Sequence, residues 1–188
     1  SIGPFMHSTR LNWTNQIAIH TKTIYEIISG GNEPVDLIYE SDLLNHPEPQ
    51  NLWMDIDQDL QAGRTRKGIH RDELQFMLSG KPLKKFGSQG QQKSFLMSVK
   101  LAQLLYMQEQ LNITPILLLD DIFDKIDEKR ILRILQWLKA HFHGQVFITD
   151  TSDQRLPGLM SKIDVIPQII DTNGIVNPDD PTAAGQFN

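Results

Sequence analysis

Two short apolar runs on either side of an amphipathic helix constrain the fold more than any other feature of this sequence. Residues 116–119 follow Pro115 and end in two aspartates, and residues 145–149 form a second run of the same kind. Between them, residues 128–140 place their apolar side chains on one side, as an amphipathic helix does. Continuous apolar runs are typical of strands covered on both faces of a parallel sheet. The pattern predicts a β-strand, a right-handed crossover helix and a parallel strand, hence an α/β fold.

Weaker patterns predict the remaining elements. Helical spacing over residues 11–29 is followed by Gly30 and Gly31, which supply a stop, and a second helix ends at Gly63. A capped start and a wide apolar face predict a long, largely buried helix over residues 89–111. Alternating or β-branched runs predict strands at residues 35–40, 73–78 and 164–170, with a turn at 79–82.

Length, charge and composition exclude several classes of protein. The 188 residues suffice for one buried core, and the absence of cysteine excludes disulfides and cysteinyl metal sites. No apolar run approaches the ~18 residues that span a bilayer, so we expect a cytoplasmic protein without a membrane partner. The net charge of -5 argues against coating nucleic acid by bulk electrostatics. Any DNA contact must be local, and two basic clusters could provide it or be solvated loops: Arg64, Arg66, Lys67, His70 and Arg71, then Lys81, Lys84 and Lys85.

The stretch LLLDDIFDKID carries the first chemical motif. Asp120 and Asp121 close a buried strand, which delivers them to the crevice where open α/β sheets bind ligands. In P-loop ATPases the first such carboxylate serves Mg²⁺ and the next polarises the attacking water, which makes Asp121 the candidate catalytic residue. Asp127 lies just before the next helix. The structural alternative is a polar strand end at 120–121 and a helix N-cap at Asp127.

The second motif opens the long helix, at GSQGQQ. Ser88 and Gln91 have the spacing of a capping box, which is a complete structural explanation. The same helix tip, with its glycine-exposed amides, is also an anion site. The octet GSQGQQKS nearly matches a phosphate-binding P-loop, but Gln92 stands where glycine is required and no buried strand precedes it. We therefore expect Lys93 to be a surface residue of the first helical turns.

Together these motifs resemble the signature, Walker B and D-loop order of ABC-type ATPases of the SMC and RecF group. Upstream, Gly63-Arg64-Thr65 and the stretch GIHRDEL at residues 68–74 resemble elements typical of the RecF family, with Ile69 in place of a proline. IYEIISGG, YES and QVFITDT are also RecF-like, so the resemblance covers most of residues 24–151. The fold it implies is an ABC/SMC-like P-loop NTPase half with a parallel-sheet core and a partial helical arm.

The resemblance also implies site residues, cofactors and partners. Ser88, Gln89, Gly90 and Gln91 would bind the nucleotide of the opposite subunit in an ATP-dependent homodimer, which Asp127 would reach across. Asp120 would serve Mg²⁺, and Asp121 would stand where the group usually has a catalytic glutamate. The family is a weak ATPase that binds double-stranded DNA near single-strand gaps and works with recombination-mediator proteins. For DNA, the candidate contacts are Arg64, Arg66, Lys67 and Arg71.

Two departures from the family pattern qualify these expectations. The switch position after the strand at 146–149 is Asp150 or Thr151 where histidine is common, and the P-loop of a complete member lies in an N-terminal half that this sequence lacks. We expect residues 1–63 to be part of an arm, 64–172 part of the ATPase head and 173–188 a loose tail. Without a P-loop, the chain alone should be inactive.

Two other functions stay open. One is a non-catalytic module that binds DNA or a protein partner through the arm and the 64–71 cluster. The other is a lobe of a different SMC-like or Rad50-like ATPase, although no long heptad coiled coil flanks the motifs.

Overall fold

The first element is one long helix, α1 (Ile2–Ser29). The computed structural model describes residues 2–45, 56–120, 125–152 and 155–170 of the chain. Helix α1 begins nine residues before the predicted start at residue 11, because Pro4 is tolerated in a first helical turn. The predicted stop is confirmed, since Gly30 and Gly31 take φ values of 90° and 94°. Its buried positions recur every three or four residues: Thr14, Ile17, Thr21, Ile24, Tyr25 and Ile28.

An antiparallel sheet follows, formed by β1 (Val35–Glu40), β2 (Glu73–Leu78) and β3 (Lys81–Pro82). Val35 pairs with Leu78 and Glu40 with Glu73, so β1 and β2 run the full length of each other. Ser79 and Gly80 join β2 to β3 with φ values of 48° and 73°. Two-residue hairpin loops commonly require positive φ at both positions. The strands at 35–40 and 73–78 are confirmed, whereas their antiparallel pairing was not anticipated.

Helix α5 (Gln89–Leu111) has the bounds that the sequence predicts, and α1 packs along it. Asn112 ends it in the left-handed conformation, a common helix stop. Phe95 is fully buried, and its ring centroid lies 5.7 Å from that of Tyr25 and 5.2 Å from that of Phe76. These aromatic contacts join α1, β2 and α5 into one core.

The predicted strand–helix–strand unit is present as β4 (Leu117–Leu119), α6 (Glu128–His141) and β5 (Val146–Ile148). β4 and β5 pair in parallel, with Leu117 opposite Val146 and Leu119 opposite Ile148. Helix α6 buries one face, which consists of Ile131, Ile134, Leu135, Trp137 and Leu138. The α/β fold class is therefore confirmed.

Two predictions about the sheets are wrong. β4 and β5 were expected to be covered on both faces, but Leu118 is 70% exposed and its register partner Phe147 is half exposed. Within the described residues, that face is only partly covered. The strand predicted at 164–170 is absent, because Pro167 cannot donate a ladder hydrogen bond and no described strand lies beside it.

The remaining described elements are short. They are α2 (Asp42–Asn45), α3 (Ile56–Ala62), a 3₁₀ turn (Ile69–Arg71), α4 (Leu83–Phe86) and α7 (Arg155–Ser161). The described residues up to 151 form one compact unit, and α7 belongs to a second unit that begins at residue 152. Within the first unit, α1 packs on α5, across the boundary that the sequence predicts at residue 63; that boundary stays a prediction. Among the described helices, none is both long and apolar enough to cross a membrane.

Candidate nucleotide site

Asp120 lies at the carboxyl end of β4, exposed to solvent. Because β4 and β5 are parallel, the residues that follow them meet at one edge of the sheet. The Thr149 hydroxyl donates to Asp120 Oδ1 at 2.5 Å, and the Thr149 N–H donates to the Leu119 carbonyl at 3.0 Å. An exposed carboxylate held in this way suits Mg²⁺, which prefers oxygen ligands and retains several waters. Asp121, the candidate catalytic residue, lies outside the described residues.

The amino end of α5 forms the predicted capping box. The Ser88 Oγ accepts from the Gln91 N–H at 3.2 Å, and Gln91 Oε1 accepts from the Ser88 N–H at 2.9 Å. Ser88 and Gln89 remain exposed at the tip of this 23-residue helix, so its amino end faces solvent. Lys93, by contrast, is half-buried one turn further on.

Gly90 brings α5, whose amino end carries the predicted signature motif and which we call the signature helix, against the segment that precedes α6. A Cβ at Gly90 would lie 3.1 Å from the backbone carbonyl oxygen of Lys125, which is tighter than ordinary contact. Lys125 itself has a φ of 63°, in the left-handed region. A glycine at position 90 therefore permits the close approach of the signature and D-loop segments.

Asp127 is the N-cap of α6, as the structural alternative predicts. Its Oδ1 accepts from the Arg130 N–H at 3.0 Å, and its Oδ2 lies 3.1 Å from Arg130 Nε. The side chain is still 60% exposed, so capping does not remove it from the surface. A helix cap and a contact to a second subunit are therefore compatible at this position.

A polar cluster joins the signature helix, α1 and α6. The Glu33 carboxylate accepts from the Tyr25 hydroxyl at 2.6 Å and from Arg130 Nη2 at 2.7 Å. Burial alone would raise the pKa of Glu33, but hydrogen bonds from Tyr25, Arg130 and Gln91 together hold that pKa below its ordinary value. The pKa of the Tyr25 phenol is raised by burial and by Glu33. We call Tyr25, Glu33, Gln91, Asp127 and Arg130 the bridging cluster.

The four candidate DNA contacts differ in their surroundings. Arg66 is engaged within the chain, where Nε lies 3.2 Å from Asp59 Oδ1 and Nη2 lies 2.5 Å from Gln58 Oε1. Arg64 and Arg71 are exposed, and Lys67 is half-buried. This arrangement makes Arg66 less available to a phosphate than Arg64 or Arg71.

The structure thus sets Gly90 against the segment that leads to Asp127, and it places Asp120 at the edge of the sheet. Sequence reasoning missed Thr149, Glu33 and Arg130. The parallel pairing of the two apolar runs could have identified Thr149 as the neighbour of Asp120. No local pattern links Glu33 to Arg130, because they lie 97 positions apart.

Comparison with known proteins places these motifs in a family. The chain is 43% identical over 136 residues to the DNA replication and repair protein RecF of Flavobacterium johnsoniae, which covers 72% of this chain and 38% of that protein. It is 38% identical over 161 residues to RecF of Azobacteroides pseudotrichonymphae, with coverage of 86% and 44%. The matched residues belong to the RecF family. A scan against protein-family models finds no match.

Solved structures of RecF share the fold. One, described as the recombination mediator protein RecF with ATP in the RecFOR pathway, has a TM-score of 0.65 and 26% identity, and the match covers 81% of this chain and 42% of that one. A second RecF structure has a TM-score of 0.62 at 23% identity and covers 79% and 42%. The chain thus spans less than half the length of the RecF proteins it matches.

Proposed function

We propose that this chain contributes the signature, Walker B and D-loop motifs of a RecF-like ATPase that acts in recombinational gap repair and replication restart. The observation that carries the proposal is the contact between Gly90 and Lys125, which sets an exposed helix tip beside the segment leading to Asp127. The family relationship over the same residues supports it. In this proposal the complete protein forms a head-to-head homodimer on binding ATP.

Each motif has a distinct role in the proposed site. Ser88, Gln89 and Gly90 offer a hydroxyl and helix-tip N–H groups to the γ-phosphate of ATP held by the opposite subunit. Asp120 fits Mg²⁺ as an exposed carboxylate, and Asp121 is assigned to orient the attacking water. Mg²⁺ held there would neutralise charge on the phosphates. The Gln91 side chain already serves the capping box and Glu33, so its contribution to phosphate binding is indirect.

A chimaera tests this function. Flavobacterium johnsoniae RecF is produced with the part of this chain that it matches, over 136 residues, in place of its own corresponding part. We expect slow, Mg²⁺-dependent ATP hydrolysis that is lost in Ser88→Arg, because the long side chain fills the space at the helix tip that the γ-phosphate would occupy. Lys100→Ala, an exposed position on the same helix, is the matched control. Equal hydrolysis by the Ser88→Arg chimaera would contradict the proposal.

The isolated chain provides the complementary measurement. Without the lysine and amides of a P-loop, it should show neither micromolar MgATP binding by calorimetry nor measurable hydrolysis. Micromolar binding by the 188 residues alone would show that the chain forms a nucleotide site of a different kind.

Duplex DNA near single-strand gaps is the proposed macromolecular ligand. One observation favours local DNA contact despite the net charge of -5: residues 74–108 contain five lysines and no carboxylate. Lys81, Lys84 and Lys85 lie there on exposed positions beside the half-exposed Phe86. Neutralising a lysine that contacts phosphate should lower the slope of log affinity against log salt by about one. We expect this lower slope for Lys84→Ala and for Arg71→Ala. The slope should not change for Lys22→Ala, because the Lys22 ammonium already pairs with Asp36.

A further inference from the structure

The bridging cluster forms a continuous polar path between two motifs of the proposed site. At one end, Gln91 closes the capping box of α5 through Oε1, and its side chain is close enough to Glu33 to lower the pKa of that carboxylate. At the other end, Arg130 binds Asp127 through both its backbone N–H and its Nε. The ion pair between Glu33 and Arg130, at 2.7 Å, connects these two ends of the cluster.

Glu33 and Arg130 are better shielded from solvent than the surface ion pair of Lys22 and Asp36. Their side chains are 22% and 13% exposed, whereas those of Lys22 and Asp36 are both about half exposed. A charge pair with little water around it holds its geometry better than a surface pair, because screening is weaker. Partial burial of both side chains thus favours a fixed arrangement at this point.

Two hydrogen bonds also connect the cluster and α6 to α1. The Tyr25 hydroxyl binds the second oxygen of Glu33, and Tyr25 is itself fully buried. One turn along α6, Arg133 Nη1 donates to the Ile28 carbonyl at 3.2 Å, beside Gly30, where a Cβ would collide with the guanidinium. Helix α6 therefore cannot shift against α1 without breaking several hydrogen bonds.

We propose that Glu33 and Arg130 are positioning residues that hold the signature helix tip and the D-loop aspartate in one fixed relation, so that a second subunit's nucleotide meets both motifs together. This inference rests on the proposed function. Neither residue touches nucleotide; each acts through a neighbour, Glu33 through Gln91 and Arg130 through Asp127. Loss of the pair should impair the dimer-dependent step and leave the first binding of ATP at the P-loop unchanged.

The chimaera provides the functional test. Glu33→Gln and Arg130→Gln should each lower kcat at least about tenfold with KM for ATP within about twofold of the parent, and the double variant should be no worse than either single one. Lys22→Ala is the control ion-pair variant and should keep the parent kcat. If the two residues had a merely structural role, the variants would instead have a lower folded fraction, and the folded protein would keep the parent kcat and KM. Parent kcat in folded Glu33→Gln protein would overturn the inference.

Two comparisons separate this inference from the proposed function. If Ser88→Arg leaves hydrolysis intact, the proposed function fails; if Ser88→Arg abolishes it while Glu33→Gln does not, only the positioning role fails. In the 188-residue chain itself, hydrogen exchange of backbone amides provides a second readout. Arg130→Gln should speed exchange at Gln91 and Gln92, on a different helix, and Lys22→Ala should not. Unchanged exchange at both amides would contradict the coupling between the motifs.

Discussion

Asp127 offers a quantitative test of how a motif residue also supports the fold. Its carboxylate caps α6 through the Arg130 N–H and pairs with the Arg130 side chain. Replacing an N-cap aspartate by alanine costs about 1 kcal/mol, within a range of roughly 0.5–2. The ion pair adds only a few tenths, about 0.3 kcal/mol, because Asp127 is mostly exposed. Asp127→Ala removes both contributions and should therefore lower the free energy of unfolding by about 1.3 kcal/mol.

Asp127→Asn separates the two contributions, since asparagine caps helices about as well as aspartate but carries no charge. We expect it to lose only about 0.3 kcal/mol, the ion-pair part. Urea unfolding followed by circular dichroism measures both variants, and the slope with denaturant should match that of the parent. A difference of 1 kcal/mol corresponds to roughly 2–4 °C in melting temperature for a unit of this size. If Asn destabilises as much as Ala, the cap is not the main contribution and the reasoning is wrong.

Two further predictions concern the core and the bridging cluster. Phe95→Ala should lower the free energy of unfolding by about 3–5 kcal/mol because the ring is fully buried, and Leu96→Ala, 48% exposed, should cost much less; similar losses in urea unfolding would refute the packing described. Glu33 stabilises the fold above its unfolded pKa of about 4.3, since its folded pKa is the lower one, and this contribution disappears as pH falls through the folded value. As pH falls from about 7 to about 3, the free energy of unfolding should therefore decrease less for Glu33→Gln than for the parent. Parallel pH profiles of the two proteins would contradict this.

Local patterns sufficed for the elements whose signals lie within one segment. Ser88 and Gln91 mark the start of α5 by capping chemistry, and the apolar face that follows carries the helix to Leu111. The apolar runs around α6 likewise predicted β4 and β5, and hence the position of Asp120 at the sheet edge. These features depend on residues a few positions apart.

Pairings between distant segments could not be predicted in this way. Nothing in the alternation of residues 35–40 names residues 73–78 as an antiparallel partner, and that choice follows from packing under α1 and α5. The bond between Glu33 and Arg130 depends in turn on how α6 is seated against α1. The failed strand at 164–170 shows the same limit, because an apolar run forms a strand only beside another strand.

In the proposed function, the signature and Walker B motifs of this chain complete a nucleotide site with a second subunit. Mixing two inactive chimaeras tests this most directly. One carries Ser88→Arg. In the other, alanine replaces the P-loop lysine that the family pattern implies in the part contributed by Flavobacterium johnsoniae RecF. Random pairing makes about half of the dimers mixed, each with one intact site, so ATP hydrolysis should recover to about a quarter of the parent rate. A mixture no more active than either chimaera alone would contradict a site shared between subunits.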